Sequence, residues 1–293
     1  MTQVLEEGIY LGDNMELLSR LTDESFTLIY LDPPFNTGHV QRRLSLSTGR
    51  DPDGDRKGFA GHSYRTTVLG SRSYPDSHDD YLGFLEPRLR EARRVLRRDG
   101  TLYLHLDPRE SHYCKVLVDQ IFGRDCFLNE IVWAYDFGAR TRRRWPAKHD
   151  TILVYVKDPD AYLFDSEAVD REPYMAPGLQ TAERAARGKL PTDVWWHTIV
   201  SPTGREKTGY PTQKPLGVLR RIVRASSREG DWCLDFFAGS GTLGAVCLEL
   251  GRRPVLCDES RDAVEVMRSR VGLPVRTTAG APVPPLEAPA LAG

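Results

Sequence analysis

The sequence predicts a doubly wound α/β fold with a mostly parallel sheet, and three observations carry that prediction. Phe26–Leu31 (FTLIYL) is a short apolar run rich in aromatic and branched residues, so it reads as a buried strand. Trp232–Phe237 (WCLDFF) is a second such run, followed by Ala238-Gly239-Ser240-Gly241-Thr242 and the helix-like LGAVCLEL. Elsewhere, amphipathic helical runs alternate with short apolar strands, the pattern of a sheet covered on both faces.

At 293 residues the chain can form one large domain, or one domain with an inserted module. Its 40% hydrophobic and 28% charged content are ordinary for a soluble globular protein. A net charge of −1 does not advertise nucleic-acid binding, so any such surface must come from local clustering. The five cysteines (Cys114, Cys126, Cys233, Cys247, Cys257) include no CxxC pair, which supports neither a zinc site nor a disulfide framework. They read as reduced core residues of a cytoplasmic protein. The start, MTQVLEEGIYLGD, has neither a secretory pattern nor a long apolar stretch.

In chain order, Gly8–Leu11 is a strand, and Asp13-Asn14-Met15-Glu16 is a capping-box-like entry to the helix MELLSRL. Asp13 reads by default as a cap only. Asp32 then stands at the carboxyl end of FTLIYL. Pro33 and Pro34 stop that strand, since neither can donate to a ladder. Phe35 offers an aromatic face and Asn36-Thr37-Gly38 makes a turn. Ligands bind at such strand ends in open α/β sheets. Residues 39–75 read as a long, flexible basic loop carrying Arg42, Arg43, Arg50, Arg56, Lys57, Arg65 and Arg72. Such a loop either closes over a ligand or is simply solvated. Asp79–Arg98 is helical, with an apolar face of Tyr81, Leu82, Leu85, Leu89, Ala92, Val95 and Leu96. Asp99-Gly100 stops it.

Thr101–Leu106 is the next strand, and a helix follows over Ser111–Phe122. His105 lies in an apolar run and reads as a core histidine rather than a general base. Beyond Asn129–Tyr135 comes a basic strip with Arg140, Arg142, Arg143, Arg144 and Lys148 around Trp145, which fits phosphate binding. Thr151–Lys157 is a strand. Residues 158–210 are Pro-rich and poorly periodic. Thr212 is a good N-cap for the helix LGVLRRIVRAS. The glycine loop lacks GxGxxG and GxxxxGK[ST] spacing, which weakens dinucleotide and P-loop readings. Arg253–Cys257 is a strand, and Asp258 (or its neighbour Glu259) is an acid about twenty positions past the glycine loop, where ribose hydroxyls are bound. Val264–Val271 is helical, and 272–293 reads as a disordered tail.

Asp32-Pro33-Pro34-Phe35 and Phe237-Ala238-Gly239-Ser240-Gly241-Thr242 together resemble the β class of S-adenosylmethionine-dependent DNA amino-methyltransferases. DPPF resembles their catalytic tetrapeptide and FAGSGT their cofactor loop, in the permuted order of that class. The resemblance runs from about Gly8 to Val271. It implies a Rossmann-like methyltransferase fold with a target-recognition region over 158–210. The catalytic half is then 1–157 and the cofactor half 211–271. It implies S-adenosylmethionine as cofactor, held by Asp235, Phe237, Ala238, Gly239, Ser240, Gly241, Thr242 and Asp258, by Asn36, and by Thr212, Gln213 and Lys214 of the TQKP motif.

Catalysis would fall to Asp32, Pro33, Pro34 and Phe35. The substrate implied is double-stranded DNA, methylated at an exocyclic amine of a flipped base. Adenine N6 is favoured because Asp usually stands first in the tetrapeptide of adenine enzymes. Cytosine N4 is the alternative. An RNA or protein-glutamine methyltransferase and a silent DNA-binding partner are further readings. A homodimer and a cognate restriction enzyme are expectations by family analogy.

Overall fold

The computed structural model describes residues 6–35, 39–50, 56–57, 63–76, 80–138, 140–201 and 204–284, with backbone alone over 39–76. The first half runs β1 (Gly8–Leu11), α1 (Asn14–Leu18), β2 (Phe26–Leu31), β3 (His39–Arg50), β4 (Arg56–Lys57), β5 (Ser63–Asp76), α2 (Tyr81–Val95), β6 (Leu96–Leu106), α3 (Ser111–Phe122), β7 (Phe127–Ala134) and β8 (His149–Val156). The second half adds α4 (Ala182–Arg187), β9 (Val194–Trp196), α5 (Leu216–Ser226), β10 (Trp232–Asp235), α6 (Thr242–Glu249), β11 (Arg253–Asp258), α7 (Arg261–Val271) and β12 (Val275–Thr277).

The main sheet has nine strands in the order β12-β1-β11-β10-β2-β6-β8-β7-β9. Every pairing is parallel except the two made by β8, so β8 alone runs against the rest. The expected doubly wound, mostly parallel sheet is therefore present, with its antiparallel strand closing the first half. Period-two alternation sorts the strand residues between two cores. Ile29, Leu31, Leu102 and Leu104 pack with α1, α2 and α3. Leu28, Tyr30, Tyr103 and Ile152 pack with α5 and α6. All five cysteines are free and buried.

Several expectations need correction. The described residues between 39 and 75 are strands rather than loop: β3 and β5 pair antiparallel over most of their length, with β4 beside β5. Alternation in Leu44-Ser45-Leu46-Ser47 and the β-branched run Thr66-Thr67-Val68 carry a strand signal that the arginines and glycines hide. Helix α2 ends at Val95, and Leu96 already pairs with Phe26 in the sheet. The tail is not wholly irregular, since β12 adds to the sheet edge beside β1. Asp13 does cap α1, accepting from the Met15 N–H at 2.6 Å. Glu16 does not complete a capping box and accepts the Thr278 hydroxyl instead. Pro215, not Thr212, stands at the N-cap of α5.

Helix α2 braces the face behind the carboxyl end of β2, and Leu89 is its fully buried centre. Leu89→Ala is expected to cost about 2–5 kcal/mol in urea denaturation. A loss under about 1 kcal/mol would show that α2 is not packed as described.

Candidate active site

Strands β2 and β10 are neighbours, with Cys233 opposite Leu28 and Leu234 opposite Ile29. Their carboxyl ends therefore open side by side. Asp32 follows β2 directly. One carboxylate oxygen, Oδ2, accepts from Lys214 Nζ at 2.5 Å. The other, Oδ1, is buried and has no hydrogen-bond partner among the described residues. Lys214 also lies 4.8 Å from the centroid of the Phe35 ring. So a residue 182 positions downstream fixes the carboxylate and touches the aromatic face. The backbone after β2 is extended because each proline fixes φ, which keeps Asp32 at the cleft floor.

The glycine loop begins where β10 ends. Asp235 is buried and its Oδ1 accepts the Phe237 N–H at 3.0 Å, turning the chain. Burial pushes the Asp235 carboxyl well above the usual range; the Phe237 N–H opposes this, and the charges of Asp32 and Asp258 add to it. Gly239 and Gly241 have φ of +48° and +69°, which other residues rarely adopt. A Cβ on Gly239 would sit 3.1 Å from the Tyr210 ring. Arg270 braces the loop through the Ser240 carbonyl at 3.1 Å and the Thr242 hydroxyl at 2.9 Å. That hydroxyl donates to the Lys214 carbonyl, so the loop and the TQKP segment are tied together.

Asp258 ends β11 beside the loop. Its two oxygens accept the Gly239 and Ser260 N–H groups, each at 2.9 Å. Burial nevertheless raises its carboxyl to about 6. Glu259 lines the same cleft and is exposed. The lining acids are Asp13, Asp32, Asp235, Asp258 and Glu259, against the bases Arg88 and Lys214. A ligand with positive charge suits this surplus. Such a cleft fits S-adenosylmethionine: a glycine loop for close approach, acids for hydroxyls and a sulfonium, and an orphan carboxylate oxygen nearby.

The structure brings Asp32, Pro33, Pro34, Phe35, Thr212, Lys214, Asp235, Phe237, Ala238, Gly239, Ser240, Thr242 and Asp258 to one cleft. Gly241 stands behind it as the N-cap of α6. Gln213 does not line it; its side chain bonds Thr208 and the Glu206 carbonyl, shaping the loop before α5. Asn36 lies outside the described residues.

Arg140, Arg142, Arg143 and Arg144 are exposed on the segment after β7, away from the cleft lining. Lys148 is not a free member of that strip, because it pairs with Asp136. The cleft also contains residues that sequence reading passed over. Arg88 stacks 3.9 Å from the Phe84 ring centroid and donates to Asn14 Oδ1 at 2.8 Å. Asn14 Nδ2 in turn donates to the Phe236 carbonyl at 3.0 Å. Asp13 lines the cleft besides capping α1. Only the polar face of α2 could have signalled Arg88, and helical periodicity assigns that face to solvent.

The comparisons with known proteins agree on one group. Residues 26–269 match the DNA methylase family of N6 and N4 methyltransferases. Type II methyltransferase M.HpaI of Haemophilus parainfluenzae is 28% identical over 91% of this chain and 74% of its own length. DNA adenine methyltransferase YhdJ of Escherichia coli is 29% identical over 83% of this chain and 74% of its own. Among solved structures, the cytosine-N4-specific PvuII DNA methyltransferase superposes with a TM-score of 0.62 at 13% identity, covering 92% of this chain and 90% of that one. The complex of M1.HpyAVI with S-adenosylmethionine gives 0.57 at 18% identity, covering 91% and 99%. These two likenesses concern the fold. With the family match spanning both the Asp32 strand and the glycine loop, the chain belongs to the N6/N4 DNA methylase family.

Proposed function

We propose that this S-adenosylmethionine-dependent DNA methyltransferase methylates adenine N6 of a base flipped out of double-stranded DNA, with Asp32 receiving the amine. The observation that carries this reading is the unequal state of the two Asp32 oxygens. Lys214 occupies Oδ2, while Oδ1 is buried without a hydrogen-bond partner among the described residues. A buried acceptor left open is costly unless a donor arrives. An exocyclic amino group is such a donor.

Its nitrogen is a poor nucleophile, because the lone pair is conjugated with the ring. Accepting its hydrogens on Asp32 Oδ1 and the Pro33 carbonyl favours a tetrahedral nitrogen with an available lone pair. The bound cofactor supplies an electrophilic methyl on a sulfonium. Asp32 need not be a strong base, since the N–H becomes acidic only as the bond to carbon forms. Lys214 keeps the carboxylate oriented, and Phe35 offers a face for the flipped base to stack on. Pro34 keeps the ring and the carboxylate at fixed separation. Positioning and electrostatics therefore do most of the chemistry.

Adenine is supported by the relative YhdJ, a DNA adenine methyltransferase, and by Asp at the first tetrapeptide position. Double-stranded DNA as substrate, a homodimer, a cognate restriction enzyme and a cytoplasmic location belong to the same reading. Type II names among the relatives support a restriction context. Residues 158–210 are proposed to choose the DNA sequence. They are anchored on α5, where Arg221 holds Asp170 and Glu172, each at 2.8 Å.

Mass spectrometry of nucleosides from DNA methylated in vitro should find N6-methyladenine. N4-methylcytosine alone would overturn the adenine assignment. In the same assay Asp32→Ala should lower transfer by at least about 10²-fold while calorimetry finds the cofactor still bound.

Asp258 is proposed to accept the cofactor ribose hydroxyls, and its raised carboxyl gives that role a pH signature. Below about pH 6 the group is protonated and a poorer acceptor. Cofactor affinity should therefore rise as pH increases through 6, and this rise should vanish in Asp258→Asn. A pH-independent dissociation constant in the parent would move the role to Glu259.

The free arginines of the strip are proposed to bind phosphates. Replacing Arg142, Arg143 and Arg144 by Ala should lower the slope of log affinity against log salt by up to about three contacts, with the methylated sequence unchanged. A changed sequence with an unchanged slope would place these side chains on base edges.

A further inference from the structure

Behind the transfer site a chain of buried polar groups crosses four adjacent strands. The Tyr30 hydroxyl lies 2.8 Å from His105 Nδ1. His105 Nε2 lies 3.1 Å from Asp150 Oδ2. Asp150 Oδ1 accepts the Tyr135 hydroxyl at 2.9 Å. Tyr30 is on β2, His105 on β6, Asp150 on β8, and Tyr135 follows β7. His105 is fully buried and Tyr30 2% exposed. Tyr30 lines the cleft, as does Asp32 two residues later. The His105 ring also lies 6.1 Å from Phe35 and edge-on to Trp133 at 5.5 Å. Sequence reading left His105 as a core histidine with nothing to do.

The donors and acceptors along this chain have a fixed direction. An ionised carboxylate can only accept. Burial pushes the Asp150 carboxyl up, but the hydrogen bond from His105, the nearby Lys214 ammonium and the Tyr135 hydroxyl oppose it, and the group lies below the usual range. His105 Nε2 must then carry a hydrogen and donate it. A ring that carries only that one hydrogen leaves Nδ1 as an acceptor for the Tyr30 hydroxyl hydrogen, 2.8 Å away. Once that hydrogen is committed, Tyr30 Oη has only lone pairs to present elsewhere.

We propose that Asp150 and His105 set the polarity of the Tyr30 hydroxyl, so that it faces the cleft beside Asp32 as an acceptor. Positive charge gathers on the amine nitrogen as the methyl is transferred. An acceptor held in place stabilises it, whereas a hydroxyl free to turn its hydrogen inward would oppose it. His105 and Asp150 are then positioning residues acting through Tyr30. The inference rests on the reading of Asp32 as the amine-binding carboxylate.

Two measurements test it. In the parent protein labelled with ¹⁵N-histidine, the His105 signals, assigned by their loss in His105→Gln, should report hydrogen on Nε2 and not on Nδ1. An Nδ1-protonated ring would overturn the proposal. In single-turnover methyl transfer, Tyr30→Phe should be on the order of tenfold slower or more, with cofactor affinity unchanged.

Asp150→Asn can donate to Nε2 and drive the hydrogen to Nδ1, so it should be slowed at least as much. The double variant should be no slower than the slower single one, because both act through one hydroxyl. Multiplying penalties, or a full-speed Tyr30→Phe, would reduce the chain to core packing. Asp32→Ala, run alongside, separates the two ideas. If it transfers methyl at the parent rate, the reading of Asp32 fails; if it is inactive while Tyr30→Phe runs at full speed, only the Tyr30 role fails.

Discussion

The joint between β2 and β10 is the constraint on which the site depends. Two stretches more than two hundred positions apart lie in parallel register, Leu28 against Cys233 and Ile29 against Leu234. Each brings its functional group at its carboxyl end, Asp32 from one and the glycine loop from the other. A one-residue slip would turn every side chain of β2 to the opposite face. Slippage is opposed by unlike packing on the two faces: Ile29 and Leu31 against α1–α3, Leu28 and Tyr30 against α5 and α6. The hydrophobic alternation that folds the chain thereby also aims Asp32.

Within the cleft, charge is distributed unevenly for a reason. Five acids face two bases, and one of the bases, Lys214, is held against Asp32. Leaving either charge of a partly buried pair alone would be strongly destabilising, so the two constrain each other. Arg88 is spent on Asn14 and the Phe84 ring, where it ties α2 to α1. Arg88 also pairs with Asp13 at 3.9 Å, which leaves Asp258 and Glu259 as the acids that can meet a cationic ligand. Asp235, pushed far toward its neutral form by burial, serves as a backbone acceptor that turns the loop.

The sequence disclosed the groups whose types are chemically distinctive. Asp-Pro-Pro-Phe after an apolar run and Gly-Ser-Gly before a helix are legible because strand, breaker and helix signals adjoin them. Gln213 and Thr212 were harder. A motif gives residue types, but side-chain direction depends on the loop, and Gln213 turns back to Thr208. The strands over 39–76 were missed because arginine and glycine lower the apparent periodicity of a hairpin. Arg88 and Tyr30 were invisible for the opposite reason. Each sits in a regular element whose pattern already explains it, and only tertiary packing shows that its polar end reaches the cleft. The pairing of Lys148 with Asp136 could not be read from the sequence, because the partner lies twelve residues upstream across an irregular segment.

These differences follow how rigidly each part is held. The groups nearest the reacting nitrogen stand on central strands or are tied to them: Asp32 by Lys214, Tyr30 by His105, the glycine loop by Arg270 and Asp258. Transfer needs reacting atoms held to within fractions of an ångström, which buried hydrogen bonds on a sheet supply. The free arginines, by contrast, emerge after β7, at the same end of the sheet as Asp32 because β7 runs parallel to β2 through β6 and β8. Phosphate contacts tolerate adjustment and gain from exposed, mobile cations. One end of the sheet therefore serves both demands. Its strands hold the groups proposed to do the chemistry, and the segments beyond them carry the arginines proposed to meet DNA phosphates.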